Sequence, residues 1–109
     1  MATAYKVLGQ QIPAATTATT LYTVPASTST VVSTITICNQ ASSAATYRIA
    51  VRPAGATLAA VHYIVYGATV AASDSTALTL GLTLATTDVI TVYSSTATLS
   101  FSAFGSEIS

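Results

Sequence analysis

Apolar and polar positions alternate with a period of two along most of this chain, and no long stretch keeps the 3.6-residue period of an amphipathic helix. Between Ser29 and Asn39, Val31, Ile35 and Ile37 fall on one face, with Thr34 and Thr36 on the other. From Thr46 to Arg52, Tyr47, Ile49 and Val51 alternate with Arg48 and Arg52. From Ala77 to Leu84, Leu78, Leu80, Leu82 and Leu84 alternate with Thr79, Gly81 and Thr83, and from Thr96 to Ala103, Leu99 and Phe101 alternate with Thr98, Ser100 and Ser102. Shorter strands fit Thr20–Val24, His62–Tyr66 and Val89–Tyr93. The last is more continuously apolar (Val89, Ile90, Val92), which predicts cover on both faces. The side chains themselves agree: Thr, Val, Ile and Tyr are abundant, and β-branched and aromatic groups suit a pleated, half-buried surface.

Turn signals separate these runs. They are Pro25-Ala26-Ser27, the polar loop Asn39 to Ala44, Pro53-Ala54-Gly55, Gly67, Ser73-Asp74-Ser75, Thr86-Thr87-Asp88 and Ser94-Ser95. The Ala-rich segment Gly55 to Val61 is too short for a stable helix and reads as a loop or a single turn. About seven or eight short strands at this spacing predict an all-β fold, a single antiparallel β-sandwich of jelly-roll or Ig-like type. The unequal loops lean toward the jelly roll. Residues 20–109 make the sandwich. Residues 1–19, with Ile12-Pro13 followed by the low-complexity AATTATT, read as an extended N-terminal arm on a neighbouring subunit or as an ordinary first strand plus a loop.

Composition sharpens this. At 109 residues the chain is one domain with one modest core. Only 6% of residues are charged, against roughly 25% in an average soluble protein. They are Lys6, Arg48, Arg52, Asp74, Asp88 and Glu107, and they cancel. A hydroxyl-rich neutral surface would explain this, but burial against other subunits accounts better for small size and low charge together. Three basic residues cannot make a phosphate-binding cluster, and a chain with few aromatics and no Trp is a poor base-stacking platform, so a nucleic-acid partner is not expected. Nor is a membrane: no apolar run reaches 18 residues. The start MATAYKVLGQ lacks the apolar core of a signal peptide, so folding in a reducing host cytoplasm is expected. The lone Cys38 cannot form an intrachain disulfide and reads as a small buried hydrophobe.

Candidate chemistry is sparse. His62 is the only histidine, and with Cys38 it offers too few ligands for a metal site. A triad with Asp74 or Asp88 is arithmetically possible, but no G-x-S-x-G elbow or Gly-rich phosphate loop is present, and His62 reads as a surface or strand-edge residue. Asp74 and Asp88 sit in turn contexts where a carboxylate accepts backbone N–H bonds. No catalytic, cofactor-binding or metal residue is therefore assigned. Arg48 and Arg52 are four apart in a strand, on one sheet face and about 13 Å from each other by the strand rise. They are either a solubilising outer face or contacts to a partner.

The segment from Ala72 onward resembles the C-terminal half of small tailed-phage virion proteins. The residues that carry the likeness are Gly81, Leu84, Thr87, Asp88, Val89, Ile90, Phe101, Phe104, Gly105, Glu107 and Ile108. Ile37 to Pro53 resembles the same group, so about two thirds of the chain is covered. The resemblance implies a non-enzymatic virion component of bacteriophage or cyanophage type. The leading expectation is a capsid decoration (cement) protein on the capsid surface. It would bind as a homotrimer at threefold positions and brace neighbouring copies of the major capsid protein. Expected contacts are Lys6, Leu8 and Ile12 on the arm, with Arg48 and Arg52, and deletion of the first twelve residues should leave the fold intact. The alternative is a tail, neck or fibre component with receptor (carbohydrate) binding. Tyr63 and Tyr66 would serve it poorly, because an odd spacing places them on opposite faces of a strand.

Overall fold

The structure is a computed structural model and describes residues 2–109. Nine strands follow one another: β1 (Thr3–Gln11), β2 (Thr19–Thr23), β3 (Ser29–Asn39), β4 (Ala45–Arg52), β5 (Tyr63–Val70), β6 (Ser75–Leu78), β7 (Leu82–Leu84), β8 (Val89–Ser94) and β9 (Leu99–Ile108). Among the described residues the only helical pieces are single 3₁₀ turns at Pro53–Gly55 and Ala60–His62, both in the connection between β4 and β5. No helix is long and apolar enough to cross a membrane among the described residues.

The strands form two antiparallel sheets, ordered β1-β9-β3-β6 and β2-β8-β4-β5, with β7 also paired to β3. With β6 and β7 counted as one interrupted strand, every connection except β4–β5 crosses from one sheet to the other. Two interleaved four-stranded sheets in this order are a jelly roll. Between them lie Phe101, Ile35, Ile37, Ile49, Ile90, Leu99, Val32 and Val92, all fully buried. Tyr47 meets Phe101 edge to face, ring centroids 6.1 Å apart. The span Ser29–Asn39 is a strand as expected, and β8 is buried on both faces because the β4–β5 connection folds back over it.

Irregular pairing corrects several expectations. The β3–β9 register shifts between Val32 and Thr34, so Ser33 is an extra residue. An inserted residue inverts the in/out parity of a strand. Val32, not Val31, therefore shares the core face with Ile35 and Ile37, and Val31 points outward. Opposite this point the predicted continuous strand Ala77–Leu84 breaks at Thr79–Gly81, where Gly81 has φ +62°, and Leu80 is exposed rather than aligned with its neighbours. The Ser33 bulge requires Gly105 beside it: a Cβ there would lie 2.0 Å from the Val31 carbonyl oxygen. Cys38 shares the uncovered outer face with Thr34 and Thr36, so it is exposed and not the buried hydrophobe expected.

Residues 3–11 are not a free arm. They form edge strand β1, paired with β9 from Thr3↔Ile108 to Gln11↔Phe101. Leu8 bulges out of register and packs on the core, while a Cβ at Gly9 would lie 2.2 Å from the Leu21 carbonyl oxygen, so the end of β1 rests directly on β2. Deleting the first twelve residues would strip a strand from the sheet and uncover β9, so the fold cannot be indifferent to it.

Candidate functional site

Most of the charged side chains are given to structural tasks within the chain. Asp88 accepts hydrogen bonds from the backbone N–H groups of Ala54 and Ala85, both at 2.9 Å, and so ties two loops together. Asp74 accepts from the N–H of Ser75 at 2.8 Å. Both carboxylates hold turns, as their contexts predict. Arg52 donates from Nε to Thr91 Oγ1 and from Nη1 to the Ala56 carbonyl, each at 3.0 Å. His62 Nδ1 accepts from the N–H of Ala59 at 3.0 Å, which fixes the second 3₁₀ turn. Among the described residues no group of three His, Cys, Asp or Glu stands close enough to hold a metal ion.

Lys6 and Glu107 belong to a network between the sheets. Lys6 Nζ lies 3.1 Å from Glu107 Oε1, and the buried Tyr22 hydroxyl donates to Glu107 Oε2. Because that proton is committed, the Thr30 hydroxyl donates to Tyr22 Oη, at 2.8 Å. Burial, then the bond to Glu107, pushes the Tyr22 phenol up to about 12. The bonds from Tyr22 and Lys6 hold the Glu107 carboxyl below the usual range. Burial also raises the Tyr47 phenol.

Two outer surfaces remain. On the β2-β8-β4-β5 sheet, Arg48 lies between two tyrosine rings, its guanidinium carbon 4.1 Å from the Tyr66 centroid and 4.3 Å from that of Tyr93. Tyr63 meets Tyr66 edge to face at 5.0 Å, and these two rings with Leu58, Ala59 and Ala60 line a shallow depression. The expectation that Tyr63 and Tyr66 face opposite ways is thus overturned. Ala50 pairs with Tyr63, Ile49 with Val65 and Arg48 with Tyr66, so Ile64 is an extra residue that restores both tyrosines to one face.

The outer face of the β1-β9-β3-β6 sheet is different. Register and alternation place on it Thr3, Tyr5, Val7 and Gln10 of β1, Ser100, Ser102, Phe104, Ser106 and Ile108 of β9, and Val31, Thr34, Thr36 and Cys38 of β3. None is charged. Tyr5 is 86% exposed and Val7 48%, and both border a depression shared with Val31 and Phe104.

The five expected contact residues are not brought together. Lys6 and Leu8 turn toward the sandwich interior, Ile12 is exposed at the far end of β1, and Arg48 and Arg52 lie on the outer face of the other sheet. Sequence reasoning missed Tyr5, Val7 and Phe104 as surface, since nothing in their spacing says which face of the sheet is uncovered. It also missed Tyr93 as the second wall around Arg48, which an outward partner of Arg48 across β4 and β8 would have supplied. No protein-family model and no curated protein matches the chain.

Proposed function

We propose that this is a non-enzymatic structural protein that works by burying a sheet face against other subunits of a larger assembly. Following the resemblance, that assembly is a virus particle, and the role is a decoration protein bracing neighbouring subunits on the capsid surface. The observation that carries the reading is the charge-free outer face of the β1-β9-β3-β6 sheet, with exposed Tyr5 and Val7 beside Val31 and Phe104. Interfaces are depleted of charge at their centres and enriched in aromatic residues, and a free sheet face without charge is poorly protected against association. The tying of Asp74, Asp88, Arg52 and His62 into turns and loops supports a non-catalytic role, since a catalytic site needs ionisable groups converging on one cleft.

The test is co-sedimentation with capsid shells lacking this protein. Thr36→Glu places a charge in the middle of the face without touching the core. It should leave the circular dichroism spectrum and Tm near those of the wild type and abolish co-sedimentation. A folded Thr36→Glu protein that still binds shells fully would sink the proposal. A second reading, receptor binding by a tail, neck or fibre component, draws on the Arg48, Tyr63, Tyr66 and Tyr93 cluster, since aromatic rings and a fixed guanidinium suit sugar and anionic groups. It predicts retention on immobilised glycans that Arg48→Ala loses.

A further inference from the structure

Edge strands invite pairing, and proteins normally blunt them. Three of the four edges here are blunted. β2 is five residues long with a register shift before Tyr22, β5 carries shifts beside Ile64 and Gly67, and the β6–β7 edge is broken at Thr79–Gly81. β1 is the exception. From Thr3 to Val7 its register with β9 is unbroken, Tyr5 and Val7 are exposed, and its single charge, Lys6, is turned to Glu107.

The hydrogen-bond phase of this edge follows from its end. Ala2 and Ser109 exchange both backbone bonds, N–H to carbonyl at 2.8 Å each way. In an antiparallel ladder such pairs alternate with pairs that exchange none. Ala4 and Lys6 are therefore bonded to β9, while the N–H and C=O groups of Thr3, Tyr5 and Val7 point to the open side. We infer that β1 pairs with β1 of a second copy of this chain, antiparallel about a two-fold axis through Tyr5, so that two jelly rolls share one continuous sheet. In that register Thr3 faces the partner's Val7, Tyr5 faces Tyr5 and Val7 faces Thr3. Each is a doubly bonded pair, so every open group on the segment finds a partner. Lys6 falls opposite Ala4, so no like charges meet. The two Tyr5 rings lie side by side on the charge-free outer face, and the dimer presents that face at twice the width. An isologous contact of this kind closes at two copies, in place of the threefold self-association that the resemblance implies.

Light scattering and sedimentation over a concentration series test this without any particle, so failure here leaves the proposed function standing. The wild type should be a dimer. Tyr5→Lys sets two like charges directly opposite and should weaken dimerisation roughly tenfold or more. Tyr5→Pro removes an N–H that bonds nothing within the subunit and should give a folded monomer. Opposed Cα atoms in such a pair lie at a separation a disulfide can span. Tyr5→Cys with Cys38→Ser should therefore oxidise to a covalent dimer, a readout independent of how the Lys and Pro variants fold. A monomeric or trimeric wild type, dimerisation untouched by Tyr5→Lys, or no crosslink at position 5 would overturn the inference.

Discussion

Replacing Tyr22 by Phe removes one oxygen atom and isolates the network that joins β2 to the opposite sheet. That oxygen donates to a carboxylate and accepts from Thr30, whose hydroxyl is buried. A bond to a charged acceptor contributes about 1.5–3 kcal/mol and a neutral one about 1, and the Thr30 hydroxyl is left without a partner, so Tyr22→Phe should lose roughly 2–3 kcal/mol at neutral pH. The pH dependence is the sharper readout. The Tyr22 phenol is near 12 in the folded protein and near 10 when unfolded, so between these values the native state holds a proton the unfolded state has released. Stability from this group is therefore complete below pH 10 and falls as pH rises toward 12, by on the order of 2 kcal/mol. Urea unfolding at steps from pH 7 to 12 measures both effects. The variant should start lower and decline less steeply, keeping the alkaline loss due to Tyr47, whose raised phenol it retains. Parallel declines in the two proteins would refute the reasoning.

Other outcomes follow from the same geometry. Because Glu107 is held below its ordinary range, its contribution is present above the unfolded value and is lost as pH falls through the folded one; Lys6→Met should reduce that acid-side loss in urea titrations below pH 5. Gly105→Ala forces a carbon against the Val31 carbonyl and should cost about 3 kcal/mol or more by thermal unfolding. Asn39, 2% exposed, donates to the carbonyls of Ser43, Val70 and Ala71 and accepts from the N–H of Ala41. Asn39→Ala should lose roughly 2–3 kcal/mol and open these loops to hydrogen exchange first. Phe101→Ala, at the centre of the core against Tyr47, should cost about 3–5 kcal/mol.

The sandwich was legible in the sequence because its strands are long enough for parity to speak. Ile35 and Ile37, Tyr47 and Ile49, and Leu99 and Phe101 all face inward as their alternation predicts. Reading failed where one residue was inserted. Ser33 and Ile64 carry no mark of a bulge, yet each inverts the faces beyond it, which is why Val31 was assigned to the core and Tyr63 was separated from Tyr66. Gly67 and Gly81, both with positive φ, are visible signals, but the pattern alone reads the first as a turn and the second as one more alternating position. Cys38 differs for another reason: it follows Ile37 in an apolar run, but alternation from Ile35 and Ile37 puts its thiol on the outer face. The charge-free face was hinted at by composition, but only pairing could show that one outer face carries no charge and the other both arginines.

The strand order also dictates when the protein can exist at all. β8 lies between β2 and β4, and β9 between β1 and β3, so the middle of each sheet is the last part of the domain to leave the ribosome. Until Val89 to Ile108 has emerged, β3 can pair only with β6 and β7 and β4 only with β5, β1 and β2 have no sheet neighbour, and closure must join segments about as far apart in the chain as the domain allows. Loop-closure entropy makes such folding slow and leaves unpaired edges open during synthesis. A nascent chain stalled before β8 should therefore be degraded or captured by chaperones, whereas the same chain released with β9 should snap shut in one cooperative step.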